Sequence, residues 1–150
     1  MELRSFFDKT AVQLDLTGTS KDEVLRELID LLAVDEKCGT ILFKMLKRRE
    51  NLASTGIGRG IAIPHCRSLA VNKLRIAYGR RPDGVEYRAI DGRPVSNFFL
   101  IVAPPNETTN DYLPVLGKVA MFARQPDVPH RLAALERPDE LLDLLEEKSV

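Results

Sequence analysis

Two kinds of apolar pattern follow one another along this chain, and together they predict strands interspersed with helices. Residues 11–16 alternate apolar and polar side chains, which is typical of a half-buried strand. Residues 97–103 are almost continuously apolar, which indicates a central strand buried on both faces. Shorter strands or extended segments are predicted at 61–63, 74–78 and 85–90.

Apolar residues at helical spacing predict helices in the remaining segments. Ser20 and Glu23 have the spacing of a capping box, so a helix is expected to open at Ser20. The second helix is predicted from Glu36 to Arg49, with an inward stripe of Ile41, Leu42, Met45 and Leu46. Three more helices are expected to begin near Asp111, Asp127 and Pro138, the first with Leu113 and Leu116 in its buried stripe.

Strands interspersed with helices, followed by a helical tail, predict an α/β layered domain with helices on both faces of the sheet. The length of 150 residues and the hydrophobic content of 44% fit one compact domain. No repeat, low-complexity tract or long linker marks an internal boundary, so residues 1–150 are predicted to form a single domain. Turn signals stand at Pro82-Asp83-Gly84 and at Asp91-Gly92.

Charge and composition narrow the class of protein. Lys plus Arg and Asp plus Glu both number 22, so the chain lacks the basic excess of a nucleic-acid or membrane-surface binder. No apolar run approaches the ~20 residues of a membrane-spanning helix, and the N-terminus lacks the apolar core of a signal peptide. Cys38 and Cys66 are too few for a disulfide scaffold. A cytoplasmic protein with two free thiols is expected.

The stretch from Arg49 to Arg67 is the densest in residues that suit a phosphate. It contains the hydroxyl pair Ser54 and Thr55, then glycines at alternate positions 56, 58 and 60, then His65 after a proline. It is neither a P-loop nor a dinucleotide fingerprint, because Ile61 stands where those motifs need other residues. Glycines let backbone N–H groups approach an anion. A tight loop that only joins a helix to a strand remains the alternative.

His65 has several chemical roles open to it. The absence of a second histidine at ligand spacing disfavours a metal site, and the absence of a Gly-x-Ser-x-Gly elbow disfavours a serine-type triad. Covalent phosphorylation of the neutral ring fits the surrounding hydroxyls, glycines and guanidinium. A structural histidine is the alternative. Arg49 adjoins the glycine loop and is interpreted as an ionic neighbour of Glu50.

With these residues in view, the stretch resembles the signature of EIIA domains of the phosphotransferase system, fructose/mannitol type. The likeness is greatest to the stand-alone nitrogen-regulatory branch. It rests on Arg49-Glu50, on Ser-Thr-Gly-Ile-Gly at 54–58 and on Gly-Ile-Ala-Ile-Pro-His at 60–65. It extends over nearly the whole chain through Asp-Gly-x-Pro-Val at 91–95 and Leu-x-x-Leu at 113–116.

The resemblance implies a three-layer α/β/α sandwich around a mixed sheet. It implies that His65 accepts a phosphoryl group from an HPr-like histidine phosphocarrier protein and passes it to an EIIB cysteine or keeps it as a regulatory mark. Arg49 would hold the phosphoryl group, with Ser54 and Thr55 in the supporting loop. No cofactor or metal is implied, and nucleic acid or membrane insertion is not expected.

The sequence departs from the family pattern at Tyr112, where a second histidine is usual just before the Leu-x-x-Leu motif. The Tyr112 phenol can still donate a hydrogen bond to the phosphoryl group, so it is counted among the phosphoryl-binding residues. Its ordinary pKa of about 10 makes it a poor proton-exchanging partner at neutral pH, which leaves phosphate acceptance expected and disfavours onward transfer. Cys66 is a lesser departure, since many relatives have glycine there. The departure at Tyr112 keeps open a second hypothesis: a non-catalytic EIIA-like module that docks onto a kinase, a transporter or a transcription regulator.

Overall fold

A mixed sheet lies at the centre of the structure, which is a computed structural model describing residues 2–150. Within that range six strands form the sheet: β1 (Phe7–Gln13), β2 (Gly56–Gly58), β3 (Ile61–Ala62), β4 (His65–Arg67), β5 (Arg75–Val85) and β6 (Val95–Ala103). The strand order is β1-β5-β6-β3-β2, and β4 also pairs with β6. Strands β1 and β5 are parallel, as are β3 and β4 with β6, whereas β5–β6 and β2–β3 are antiparallel.

Strand β6 is the central strand that its apolar run predicts, although it begins at Val95 instead of Asn97. Successive side chains of a strand point to opposite faces. Accordingly, Phe99 and Ile101 pack in one core cluster, and Phe98 and Leu100 pack in the other. All four are essentially without solvent contact.

Two layers of helices cover these faces: α1 (Lys21–Asp30) and α2 (Glu36–Leu52) on one side, and α3 (Tyr112–Arg124), α4 (Val128–Ala133) and α5 (Pro138–Glu147) on the other. This arrangement confirms the predicted three-layer α/β/α sandwich with a mixed sheet. Among residues 2–150, no helix combines the length and apolar character needed to cross a bilayer.

The predicted cap of α1 is present in altered form. The Ser20 hydroxyl accepts a hydrogen bond from the Glu23 N–H at 3.2 Å, as expected. The Glu23 carboxylate, however, accepts from the N–H of Thr19 at 2.9 Å, one residue before the cap. Asp111 and Asp127 precede α3 and α4 as predicted, but neither side chain caps its helix.

The prediction of a turn at Pro82-Asp83-Gly84 is wrong, because strand β5 continues through these residues to Val85. The pairing register with β6 shifts between Arg80 and Val85, and Gly84 has a φ of 77°. These features describe a bulge, which leaves residues unpaired and so accommodates a proline without breaking the ladder. Residues 86–90 lie outside the strands, whereas the turn at 91–92 is present.

Two helical stripes are rotated relative to their predictions. Ile41 of α2 is 41% exposed, while Leu42 and Leu46 are fully buried. In α3, Leu113 is 70% exposed and the buried face begins with Tyr112 instead. This helix is apolar on most of its circumference, so its spacing alone did not identify the buried face. The rotation brings Tyr112 toward the sheet and leaves Leu113 on the surface.

Candidate functional site

The chain reaches His65 through a short hairpin. Helix α2 ends at Leu52, and strands β2 and β3 then pair around Arg59 and Gly60, whose φ values are 60° and 78°. Pro64 follows, and its carbonyl accepts a hydrogen bond from the Ile101 N–H at 3.0 Å. Strand β4 therefore starts at His65 already anchored to the central strand, which holds the backbone of this residue in place.

The His65 ring is oriented by a backbone contact. Its Nδ1 lies 2.7 Å from the carbonyl oxygen of Ile63. A carbonyl can only accept a hydrogen bond, so Nδ1 carries the proton and Nε2 of the neutral ring carries the lone pair. Burial lowers the pKa of His65, the Ile63 carbonyl opposes this shift, and the charge of Arg49 adds to it. At neutral pH the ring is uncharged, as a nitrogen nucleophile must be.

Helices α2 and α3 and strand β4 meet around an open depression of about 400 Å³ in which His65 lies. Its wall is mostly apolar. The α2 residues are Met45, Arg48, Arg49 and Leu52, the β4 residues are His65, Cys66 and Arg67, and the α3 residues are Tyr112, Leu113 and Leu116. The structure thus brings together three of the five predicted site residues, His65, Arg49 and Tyr112, from three separate elements.

Arg49 lies at the last turn of α2 and is half-buried. Its Nη1 donates to the carbonyl oxygen of Ala53 at 2.7 Å, at the end of its own helix. Its other N–H groups are available to an anion at the depression. The prediction that Arg49 pairs with Glu50 is wrong, because Glu50 Oε1 forms its salt bridge with Lys21 Nζ at 2.9 Å.

Ser54 and Thr55 do not line the depression. The Ser54 hydroxyl donates to the carbonyl of Tyr87 at 2.9 Å and accepts from the Gly56 N–H at 3.1 Å. The Thr55 N–H donates to Glu50 Oε1 at 3.0 Å, and its hydroxyl donates to Glu50 Oε2. Both side chains are engaged with groups of the protein itself, and their role in supporting a phosphoryl group stays a prediction.

Sequence reasoning missed the importance of Glu50, whose side chain is only 1% exposed. Besides Lys21, this carboxylate binds Thr55, whose hydroxyl lies 3.2 Å from the Tyr87 hydroxyl. The Thr55 carbonyl accepts from the Ile63 N–H at 3.0 Å, and the Ile63 carbonyl in turn accepts from His65. A continuous series of hydrogen bonds therefore links the buried Glu50 to the imidazole.

Tyr112 lies across the depression from His65, with 6.2 Å between ring centroids and an interplanar angle of 57°. Burial raises the pKa of its phenol, which stays protonated at neutral pH. The Tyr112 N–H donates to Glu107 Oε1 at 2.8 Å, so this carboxylate caps α3. Arg67, which sequence reasoning also missed, stacks its guanidinium 4.4 Å from the centroid of the Tyr112 ring.

Cys66 lies at the edge of the depression, but its side chain is buried on the face of β4 opposite His65 and Arg67, in the core cluster that includes residues of α1 and α2. Burial raises the pKa of its thiol to about 12, so no thiolate forms near neutral pH. Both cysteines are free, as predicted. Within residues 2–150, no three His, Cys, Asp or Glu side chains are grouped as metal ligands would be.

Comparison with known proteins gives consistent results. The family described as "Phosphoenolpyruvate-dependent sugar phosphotransferase system, EIIA 2" matches residues 5–148. The nitrogen regulatory protein of Pseudomonas aeruginosa is 32% identical over 134 residues, which cover 88% of this chain and 86% of that protein. The fructose-specific EIIABC component of Bacillus subtilis is 29% identical over 97% of this chain, but the match spans only 23% of that longer protein.

Solved structures agree with these matches. The nitrogen regulatory protein IIA-Ntr from Neisseria meningitidis has a TM-score of 0.85 and 31% identity, covering 95% of this chain and 97% of that one. IIA mannitol from Escherichia coli, in its complex with phosphorylated IIB mannitol, shares the fold with a TM-score of 0.75, at 22% identity and coverages of 94% and 99%. Together with the family match over residues 5–148, these similarities establish that the chain belongs to the EIIA type 2 family of the phosphoenolpyruvate-dependent sugar phosphotransferase system.

Proposed function

We propose that this chain is a cytoplasmic phosphocarrier that accepts a phosphoryl group on Nε2 of His65 from an HPr-like histidine phosphocarrier protein. One observation carries the proposal: the Ile63 carbonyl holds the proton on Nδ1 and leaves the Nε2 lone pair free, in a depression that also contains Arg49. The lowered pKa of His65 supports a neutral, nucleophilic ring at neutral pH.

Phosphoryl transfer to His65 exchanges one N–P bond for another. The Nε2 lone pair attacks the phosphorus of the donor phosphohistidine, an N–P bond forms at His65, and the N–P bond of the donor breaks with its electron pair returning to the donor ring. Phosphorylated His65 keeps its Nδ1 proton, and the Ile63 carbonyl stabilises the positive charge that develops on the ring. Arg49 binds the phosphoryl oxygens through N–H groups other than the one bonded to Ala53.

The wall of the depression supports docking of a protein donor or acceptor. Leu52 is 81% exposed and Leu113 is 70% exposed, and both lie beside His65. Exposed apolar side chains grouped on a surface are typical of a site where another protein binds. The partner of IIA mannitol in the Escherichia coli complex is a phosphorylated IIB. This supports an EIIB protein as the acceptor for this chain, its cysteine sulfur attacking the phosphorus of phospho-His65.

A regulatory role is favoured over direct participation in sugar import. The nitrogen regulatory protein IIA-Ntr of N. meningitidis is 31% identical to this chain with a TM-score of 0.85, against 22% and 0.75 for IIA mannitol of E. coli. In a regulatory protein the phosphoryl group on His65 acts as a mark that partners such as a kinase or a transporter detect at the same surface.

Tyr112 favours a second candidate function. Its raised pKa keeps the phenol from exchanging protons with a phosphoryl group at neutral pH. An EIIA-like module that binds its partner without phosphoryl transfer would need only the apolar rim. In that case binding would persist when His65 is replaced.

Phosphorylation with purified components distinguishes the two functions. The protein is incubated with phosphoenolpyruvate, enzyme I and the carrier protein, and its intact mass is measured before and after acid treatment. We expect the acid-labile mass increase of one phosphoryl group. Because the chain has two histidines, His130→Ala is the matched control for His65→Ala. Labelling must survive in His130→Ala and disappear in His65→Ala. No labelling of the parent protein, or equal labelling of the two variants, would refute the phosphocarrier function.

A further inference from the structure

Arg67 shares one face of strand β4 with His65. Residues two apart in a strand point the same way, and here His65 and Arg67 are both half-buried while Cys66 between them is buried. Both side chains line the same depression. The strand thus supplies a second guanidinium on the histidine's own side, in addition to Arg49 from helix α2.

The Arg67 guanidinium is held mainly by the ring of Tyr112. Its central carbon lies 4.4 Å from the ring centroid, which is a cation–π contact. Its oxygen contacts are long: Nη1 lies 3.3 Å from the Pro104 carbonyl and 3.7 Å from Glu107 Oε1. The second distance exceeds a hydrogen bond. A stacked guanidinium with several N–H groups left over is oriented yet free to bind another anion.

The carboxylate of Glu107 lies near Arg67 but does not saturate its guanidinium. The Glu107 side chain is only 5% exposed, its Oε1 serves the Tyr112 N–H, and its Oε2 has no hydrogen-bond partner among the described residues. This carboxylate therefore keeps Arg67 near α3 by charge without fully occupying it. A phosphoryl group carries close to two negative charges at neutral pH and presents oxygens that match the guanidinium fork.

We propose that Arg67 is a second phosphoryl-binding residue of this site and that the Tyr112 ring is the platform that orients it. The inference rests on the proposed phosphorylation of His65. Phospho-His65 is then bound by two guanidiniums, one from α2 and one from β4. Each guanidinium can donate two parallel hydrogen bonds to phosphoryl oxygens, so the phosphoryl group is held firmly. A long-lived phosphohistidine suits a regulatory mark better than rapid relay.

The test compares Arg67→Gln with Arg93→Gln, which removes the same charge from an exposed residue that does not line the depression. The lifetime of the phosphorylated protein and the pKa of the phosphoryl group, followed by ³¹P NMR, are measured in each. We expect Arg67→Gln to lose its phosphoryl group about tenfold faster and to raise the phosphoryl pKa, because a guanidinium stabilises the dianion. Arg93→Gln should match the parent protein.

Further variants keep the result interpretable. Arg67→Lys retains the charge without the fork and should lie between the parent and Arg67→Gln. Tyr112→Phe retains the ring that orients Arg67, whereas Tyr112→Ala removes this platform, so the phosphoryl pKa should rise more in Tyr112→Ala than in Tyr112→Phe. A parent protein that takes up no phosphoryl group refutes the proposed function itself. A phosphorylated parent whose phosphoryl pKa and lifetime are the same in Arg67→Gln overturns only the role of Arg67.

Discussion

His65 donates its Nδ1 proton to the carbonyl oxygen of Ile63, two residues earlier in the same chain, at 2.7 Å. This contact leaves the lone pair of the neutral ring on Nε2. We predict that the phosphohistidine carries its phosphorus on Nε2. Phosphorus–nitrogen and proton–nitrogen couplings in ¹⁵N-labelled protein distinguish the two isomers. Detection of phosphorus on Nδ1 would show that the Ile63 contact breaks before transfer.

The pH dependence of phosphoryl uptake should follow the lowered pKa of His65, whose main cause is burial. Free histidine titrates near 6.5, so in the folded protein the His65 ring becomes protonated only at a pH below that value. A protonated ring lacks the nucleophilic lone pair. We expect the uptake rate to remain level from pH 8 to about 6.5 and to fall only at lower pH. The titration of the His65 ring protons, assigned with His130→Gln, provides the measurement. A midpoint above 6.5 would contradict the prediction.

Arg49→Gln should slow phosphoryl uptake by roughly ten- to a hundredfold, because it removes a charge-assisted hydrogen bond to the phosphoryl group. It also removes the contact with Ala53, so unfolding should become easier by about 1 kcal/mol. Lys44→Gln is the matched control, since it removes one exposed positive charge from the same helix. Equal rates in the two variants would show that Arg49 acts only through net charge.

Glu50→Ala should be the most destabilising of these changes. It leaves the Lys21 ammonium and the Thr55 N–H without their partner in a site where the carboxylate was 1% exposed. Removing one member of a buried ion pair costs about 3 kcal/mol or more. Glu136→Ala, an exposed change, should stay within roughly 0.5 kcal/mol of the parent. Chemical denaturation measures both, and a small loss in Glu50→Ala would contradict the prediction.

Tyr112→His should speed phosphoryl transfer from His65 to an EIIB protein. An imidazole titrates near neutrality, whereas burial keeps the Tyr112 phenol protonated. Tyr112→Phe separates the loss of the hydroxyl from the gain of the imidazole and should not accelerate transfer. Rapid-mixing kinetics with an excess of EIIB provide the rates. An unchanged rate in Tyr112→His would show that this position does not limit transfer.

Much of the fold could be predicted from the spacing of apolar residues, because helices and strands each repeat their side-chain directions with a fixed period. The continuous apolar run at 97–103 led to the central strand, and Ser20 led to the start of α1. Pattern was insufficient where it was ambiguous. Helix α3 is apolar on several sides, so its spacing did not decide that Tyr112 turns inward and Leu113 outward. Pro82 has the chemistry of a turn, but pairing with β6 made the segment a bulge.

The sequence by itself determined which residues are candidates for the site: Arg49, the glycine hairpin and His65 stand within one short stretch. Only the tertiary structure decided how these residues are arranged. It paired Glu50 with the distant Lys21 instead of its neighbour, and it stacked Arg67 on Tyr112. The physical reason is that residues far apart in the chain meet only when helices pack on the sheet, and no local period encodes that packing.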